Sequence, residues 1–296
     1  MKVTGFTFIK NAIKYDYPIL ESINSILPIC DEFVIAVGES SDETLKLIEG
    51  IGSEKIRIIL SVWDESEREG GVVLALETDK AFAAISDDTD WAFYIQGDEV
   101  VHEKYLNTIY ENMKRYKDDK SVDGLLFNYL HFYGSYYYVG GSSQWYKREI
   151  RVIKNDKSFY SYRDAQGFRK GDNKKLVVKP IDAYVYHYGW VKDPRTMKSK
   201  QLNSIKYYRD DSWIDKNIAR GDEFDYTNIN CLIPFDETHP RVMLERVNAR
   251  NWQFDHDISR NKITLKERTK SFLKKYFGWN LDYQNYIISY PEKAHD

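Results

Sequence analysis

The chain has 296 residues, with 43 Lys and Arg against 46 Asp and Glu and a net charge of −3. That balance gives no electrostatic reason to expect nucleic acid as a partner, and the length suffices for one large domain with a sizeable core. The two cysteines, Cys30 and Cys231, lie far apart and match no metal spacing, which predicts a reduced, cytoplasmic protein, while the opening MKVTGFTFIKN is too short and interrupted for a signal segment and no apolar run is long enough to span a membrane.

The first half alternates strand-like and helix-like segments. VTGFTFI (3–9) reads as a strand, and YPILESINSILPIC places Ile19, Leu20, Ile23, Ile26 and Leu27 at helical spacing. EFVIAVG is a short buried strand. Ser41 or Asp42 can cap the helix of DETLKLIEGIG, which its two glycines end. KIRIIL is a third strand, VVLALETDKAFAAIS a helix and WAFYIQ a fourth strand. Such alternation predicts a parallel sheet covered on both faces. FYIQGDEVVHEKYL (93–106) then runs a buried strand into Gly97, Asp98 and Glu99, ahead of a helix from about His102 to Tyr116. Carboxylates at such a strand end lie at the rim where open α/β sheets bind ligands; they can hold a metal, act as bases or cap the helix.

After residue 120 the rhythm changes. DGLLFNYLHFYGSYYYV, REIRVIKN and DAYVYHYG are strand-like and largely aromatic, and the next strong helix is PRTMKSKQLNSIKYYRDD (194–211). This predicts antiparallel strands added to a parallel core. The expected division is a domain over 1–235 and a mainly helical extension over 236–296. Within the extension, KITLKERTKSFLKK (262–275) is a basic amphipathic stretch with six Lys or Arg against one Glu. It reads as a solvated helix packed on its own domain, with contact to an anionic membrane surface as the alternative.

The order of motifs resembles the family 2 glycosyltransferases, whose nucleotide-sugar-binding fold is called GT-A. Asn11 closes the first strand in FTFIKNA, as the family's Asn does, although Ala12 replaces the Glu that commonly follows. VIAVGESSDET matches the segment in which a strand runs into a helix start, and YIQGDEV matches the strand-end acidic motif, usually Asp-x-Asp. The match runs in order over about residues 1–190. Two departures stand out: the family's base-contacting Asp pair falls on Val37 and Gly38, leaving Glu39 as the nearby carboxylate, and the first Asp of the acidic motif is Gln96.

The resemblance implies an α/β, Rossmann-like mixed sheet of GT-A type and assigns roles to residues. Asn11, Glu39 and Gln96 fall in the donor site, and Asp98 binds a divalent metal, Mn²⁺ or Mg²⁺, together with the sugar diphosphate. His187, in AYVYHYGWVKDP, completes the metal shell; a hydrogen-bonded core histidine is the plain alternative. Lys192 follows on a possible lid and reaches a phosphate. Asp164, in SYRDAQGFRK, is placed as the base that takes the acceptor's proton, with Arg163 on phosphate or supporting the carboxylate. A turn aspartate in a surface ion pair would look the same. Trp145, beside a Gly- and Ser-rich turn in FYGSYYYVGGSSQWYKRE, is the aromatic candidate for stacking on an acceptor sugar.

The function implied is a metal-dependent, inverting glycosyltransferase of hexosyltransferase type, using a nucleotide-sugar donor, UDP-sugar first, and a glycan or lipid-linked acceptor. Two rivals remain. A nucleotidyltransferase shares the architecture, but GFTFIKNA lacks the Gly-rich basic loop that would hold a triphosphate. A catalytically silent sugar- or nucleotide-binding protein would account for Gln96 and Gly38.

Overall fold

The structure, a computed structural model, describes residues 1–64, 66–218, 221–277 and 283–289. In chain order, β1 (Val3–Ile9), α1 (Ile19–Ile26), β2 (Glu32–Gly38), α2 (Thr44–Glu49), β3 (Ile56–Ser61), α3 (Val72–Ala83) and β4 (Trp91–Tyr94) form the alternating half. They are followed by β5 (Glu99–Val101), α4 (Leu106–Tyr116), β6 (Gly124–Tyr133), β7 (Tyr138–Gly140), β8 (Arg148–Lys154), β9 (Phe159–Tyr162), β10 (Gly167–Lys170) and the long β11 (Lys174–Trp190). The chain ends with α5 (Pro194–Ser204), α6 (Asp211–Asn217), β12 (Leu232–Pro234), α7 (Leu244–Asn248), α8 (Leu265–Phe277) and β13 (Tyr286–Ile288).

The main sheet runs β3-β2-β1-β4-β8-β6-β11-β10-β9. Its first four strands are parallel, and β8 joins antiparallel between β4 and β6. This is the α/β mixed sheet, a parallel core with antiparallel additions, expected from the sequence. Two details differ from the expectation of purely antiparallel additions. β11 runs parallel to β6, and β13, from beyond residue 236, returns to pair parallel with β11.

Both faces of the parallel half are covered, as its apolar runs require. Alternate residues of β2 divide between them. Phe33, Ile35 and Val37 pack in a cluster with Ile19, Ile23 and Ile26 of α1 and Ile109 and Met113 of α4. Val34 and Ala36 join Phe82 of α3 and Phe168 of β10 on the opposite side. Cys30 and Cys231 are buried and unbonded. Among the described residues, no helix is long and apolar enough to cross a membrane.

Between Asp98 and the helix expected from about His102 lies a short strand. Glu99–Val101 pairs antiparallel with β11, His102 caps a 3₁₀ turn, and α4 follows. The cause lies in Glu99 itself. Its carboxylate turns inward and takes a bidentate bond from Arg151 on β8 (2.8 and 2.7 Å), a third from the Tyr129 hydroxyl (2.8 Å) and a fourth from the Gln96 amide (3.1 Å). Both charged side chains are fully buried. Removing one partner of such a pair leaves an uncompensated charge in the core. Arg151→Met should therefore cost about 3–5 kcal/mol in urea unfolding, with part recovered in the Arg151→Met/Glu99→Gln double variant. A loss under about 1 kcal/mol for the single variant would show that the pair does not brace the sheet.

Candidate functional site

The strand order reverses between β1 and β4, and at their carboxyl ends lies a cleft of about 150 Å³, walled by Phe8, Lys10, Tyr17, Trp63, Asp98 and Tyr208 among others. Open α/β sheets bind ligands at such a point. Asn11 turns the chain there in the left-handed region (φ 53°). Its side-chain oxygen accepts from the Ser41 amide (2.7 Å), and Ser40 Oγ accepts from the Asn11 amide (3.0 Å), so the β1 and β2 exits are tied together. Glu39, at the β2 exit, is exposed. Gly97 is closely packed: a Cβ there would meet Ile9 Cδ1 at 3.0 Å.

Asp98 is 8% exposed at the rim. Its Oδ2 accepts from the Lys200 ammonium at 2.9 Å, and its Oδ1 lies 3.7 Å from His187 Nε2. Burial acts to raise its pKa, but Lys200 and His187 outweigh that and hold the carboxyl well below its usual range. The two residues meet because β5 and β11 are paired with Glu99 opposite His187, and the Tyr188 amide donates to the Asp98 carbonyl (2.8 Å).

The protonation of His187 follows from its neighbours. His131 Nε2 is 2.8 Å from the Tyr146 carbonyl, which can only accept, so this nitrogen carries a proton. Burial, then His187, lowers the His131 pKa to about 3, so the ring is neutral and its Nδ1 is an acceptor. His187 Nδ1, 3.2 Å away, must then be the donor. Burial lowers the His187 pKa too, against the pull of Asp98 and Glu99. In its neutral form the ring turns a lone pair at Nε2 toward the Asp98 oxygen 3.7 Å away, a fitting place for a cation with Asp98 and His187 as two protein donors. Among the described residues no group of three or more His, Cys, Asp or Glu could hold a metal ion, so other ligands would have to come from substrate and water.

Beyond Tyr208 of the cleft wall, Asp164 sits on a turn between two non-glycine residues in the left-handed region, Arg163 (φ 57°) and Ala165 (φ 62°). Such conformations persist only where surroundings enforce them. Gln96 Nε2 donates to the Ala165 carbonyl (3.1 Å), and Tyr208 donates to Asp164 Oδ2 (3.1 Å). Gly71 packs so closely that a Cβ would lie 2.7 Å from Asp164 Cβ. Arg163 is exposed and stacks over Tyr162 and Tyr283, away from Asp164. Farther along the turn, Gln166 donates to Glu149 Oε1 (2.9 Å), a buried carboxyl.

Lys192 is almost fully buried, and its ammonium donates to the Asp16 carbonyl over the Tyr17 ring. Burial, then Lys200, lowers its pKa to about 7. Trp145 stacks on His131 at 5.2 Å and is half-buried against Gly140. Of the residues singled out in the sequence, Gln96 and Asp98 line the cleft; His187 lies beside Asp98, Asp164 is bonded to Tyr208 of the cleft wall, Lys192 lies over the Tyr17 ring and Trp145 against His131, while Glu39 and Arg163 are on the surface. Lys200 and His131 escaped the sequence reading. Lys200, Asn203 and Ser204 share one face of α5, but that spacing in PRTMKSKQLNSIKYY is also that of an ordinary polar helix face.

No family profile and no curated protein matches the chain. Solved structures similar to it include TarS from S. aureus, at 15% identity, covering 69% of this chain and 39% of that chain, with a TM-score of 0.38. TarS 1-349 is 14% identical, with 69% and 64% covered and a TM-score of 0.38. Glucosyl-3-phosphoglycerate synthase from Mycobacterium tuberculosis, in complex with Mn²⁺, uridine diphosphate and phosphoglyceric acid, is 16% identical, with 44% and 43% covered and a TM-score of 0.30. The chain spans less than two thirds of the length of each.

Glu149 makes the site region sensitive to pH. Burial raises its pKa from 4.5 to about 8 against the pull of Arg151. The folded protein therefore holds a proton that the unfolded chain releases between about pH 4.5 and 8, and this stabilisation is lost as pH rises through that window. Glu149→Gln removes the ionisation. Urea midpoints at pH 5 and pH 8 should fall more steeply for wild type than for the variant, by at most about 1.4 kcal/mol per pH unit. Parallel pH dependences would show that Glu149 titrates normally.

Proposed function

We propose that the protein is a glycosyltransferase that moves a hexose from a nucleotide sugar, a UDP-sugar first, to an acceptor hydroxyl with inversion at the anomeric carbon. The observation that carries the reading is the convergence at the switch-point cleft. Asp98 walls that cleft with His187 Nε2 at 3.7 Å from its carboxylate, and Asp164 accepts from Tyr208, another residue of the wall. The family resemblance of residues 1–190 supports it independently.

Asp98 and His187 would hold Mn²⁺ or Mg²⁺, which when bound neutralises the diphosphate as it departs. Asn11 and Glu39 belong to the nucleoside side of the cleft, and Gln96 fixes the turn that carries Asp164. Lys192 supplies positive charge beneath the diphosphate. In the transfer, an acceptor oxygen forms its bond to the anomeric carbon while the bond from that carbon to the diphosphate oxygen breaks. The hydroxyl proton passes to the Asp164 carboxylate. Tyr208, whose own pKa burial and Asp164 push upward, stays a hydrogen-bond donor and orients that carboxylate. Arg163 lies on the approach to the same turn, and Trp145 offers an apolar wall toward the acceptor.

We assign the transferase role to residues 1–235, with 236–296 as an extension. The acceptor is a glycan or a lipid-linked saccharide. Exposed Leu265, Phe272 and Tyr276 on the basic α8 support peripheral contact with a membrane that bears it.

Two substitutions divide the roles. Asp98→Asn should abolish Mn²⁺-dependent binding of nucleoside diphosphate, followed by calorimetry, and leave the fold intact. Asp164→Asn should leave donor binding nearly unchanged while transfer falls at least about a hundredfold. Retained transfer in Asp164→Asn would reassign the base, and retained Mn²⁺-dependent affinity in Asp98→Asn would remove the metal assignment.

A further inference from the structure

The Asp98 carboxylate has two different neighbours. Oδ1 lies 3.7 Å from His187 Nε2, whereas Oδ2 holds the ammonium of Lys200. Lys200 is 12% exposed, and its ammonium also donates to the Gly189 carbonyl at 2.9 Å and lies 4.8 Å from the centre of the Tyr17 ring. Tyr17 and Asp98 both wall the cleft, as do Asn203 and Ser204, which follow Lys200 at helical spacing. A lysine set so deep loses hydration and side-chain freedom, a cost that two neutral acceptors and one carboxylate only partly offset. Lys192 lies close by, its charge facing Lys200, Asp98, Asp16 and Arg246. Counted with Arg246, these three basic groups face the carboxylates of Asp98, Asp16 and Glu21, and Lys200 is the one whose carboxylate partner also walls the cleft.

We propose that Lys200 is a diphosphate-binding residue: a fixed ammonium that takes the charge of a nucleoside diphosphate alongside the divalent ion and sustains binding in its absence. The assignment rests on the glycosyltransferase reading of the cleft. The balance of charges supports it. Asp98 with Lys200 is neutral, so a divalent ion and a nucleotide sugar with two negative charges sum to zero. When the sugar leaves, the diphosphate gains negative charge, and Lys200 stands where that charge grows. The short reach from Oδ2 makes the exchange simple, because the ammonium trades one anionic oxygen for another without leaving its helix.

The test is calorimetry with UDP and GDP, in Mn²⁺ and in EDTA, on wild type, Lys200→Met, Lys200→Arg and, as a control, Lys206→Met, which alters an exposed lysine of the same segment. Wild type should bind one of the two nucleotides in EDTA. Lys200→Met should lose that binding and weaken the Mn²⁺-supported affinity by about ten- to a hundredfold, the range for one charged hydrogen bond. Lys200→Arg should recover most of it, and Lys206→Met should behave as wild type. Recovery by Arg with a lowered melting temperature in Met still supports the assignment, since charge and not packing is then restored. Unchanged or tighter Mn²⁺-supported binding in Lys200→Met overturns it, leaving Lys200 as a plug on Asp98. So does wild-type binding in Mn²⁺ alone with none in EDTA, although the glycosyltransferase reading then stands. Wild type that binds neither nucleotide in either buffer overturns both.

Discussion

The site depends on a buried ion pair that takes no part in it. Glu99 and Arg151 are fully enclosed, and the carboxylate is saturated by guanidinium, phenol and amide donors. An ion pair so deep is seldom a large net stabiliser, because desolvation consumes most of the attraction. Its consequence is geometric. With Glu99 anchored inward, Asp98 is left at the rim, and the three residues that follow run as a strand along β11. Two adjacent carboxylates are thereby given opposite fates, one sealed in the core and one set at the cleft.

The strand pairing also explains how His187 reaches a partner so distant in sequence. Opposite register in β5 and β11 puts His187 beside Glu99, and a backbone bond from Tyr188 to Asp98 closes the corner. His131 arrives from β6, which lies parallel to β11 with the two histidines in register. The proton order set by the Tyr146 carbonyl then passes through two rings to the cleft. Trp145, stacked on His131, closes this relay from behind. A change on the aromatic side of β7 and β8 thus bears on the electronic state of a group at the cleft without touching it.

Much of this was legible in the sequence because it is local or periodic. The alternating apolar runs of β1 to β4 announce a parallel sheet, and the Gly-Asp-Glu ending of the fourth strand marks its rim. β5 was not legible: three residues after a turn carry no period, and their pairing is decided by β11 and the ion pair. The return of β13 to the sheet was missed for the same reason, since Tyr286–Ile288 is too short to signal a strand. Nor could spacing choose between Asp98 and Glu99, which differ only in which way each side chain turns. Lys200 was hidden by chemistry: a lysine on a helix reads as solvated until the fold buries it beside a carboxylate.

Gln96 now has a physical reason to be where the resembling family has an aspartate. Its amide nitrogen donates to the Ala165 carbonyl and to the Tyr94 hydroxyl (3.1 and 3.3 Å). A carboxylate in that position would point acceptor oxygens at an acceptor carbonyl, and no proton would lie between them. Only an amide, or a protonated acid, can make the bond. The bond matters because Ala165 is held in the left-handed region, as is Arg163, so the turn around Asp164 does not keep its shape unaided. The carbonyl that Gln96 grips is one residue from the carboxylate that Tyr208 orients. Gln96 is therefore a strut that fixes the turn around Asp164 to the strand that leads to Asp98.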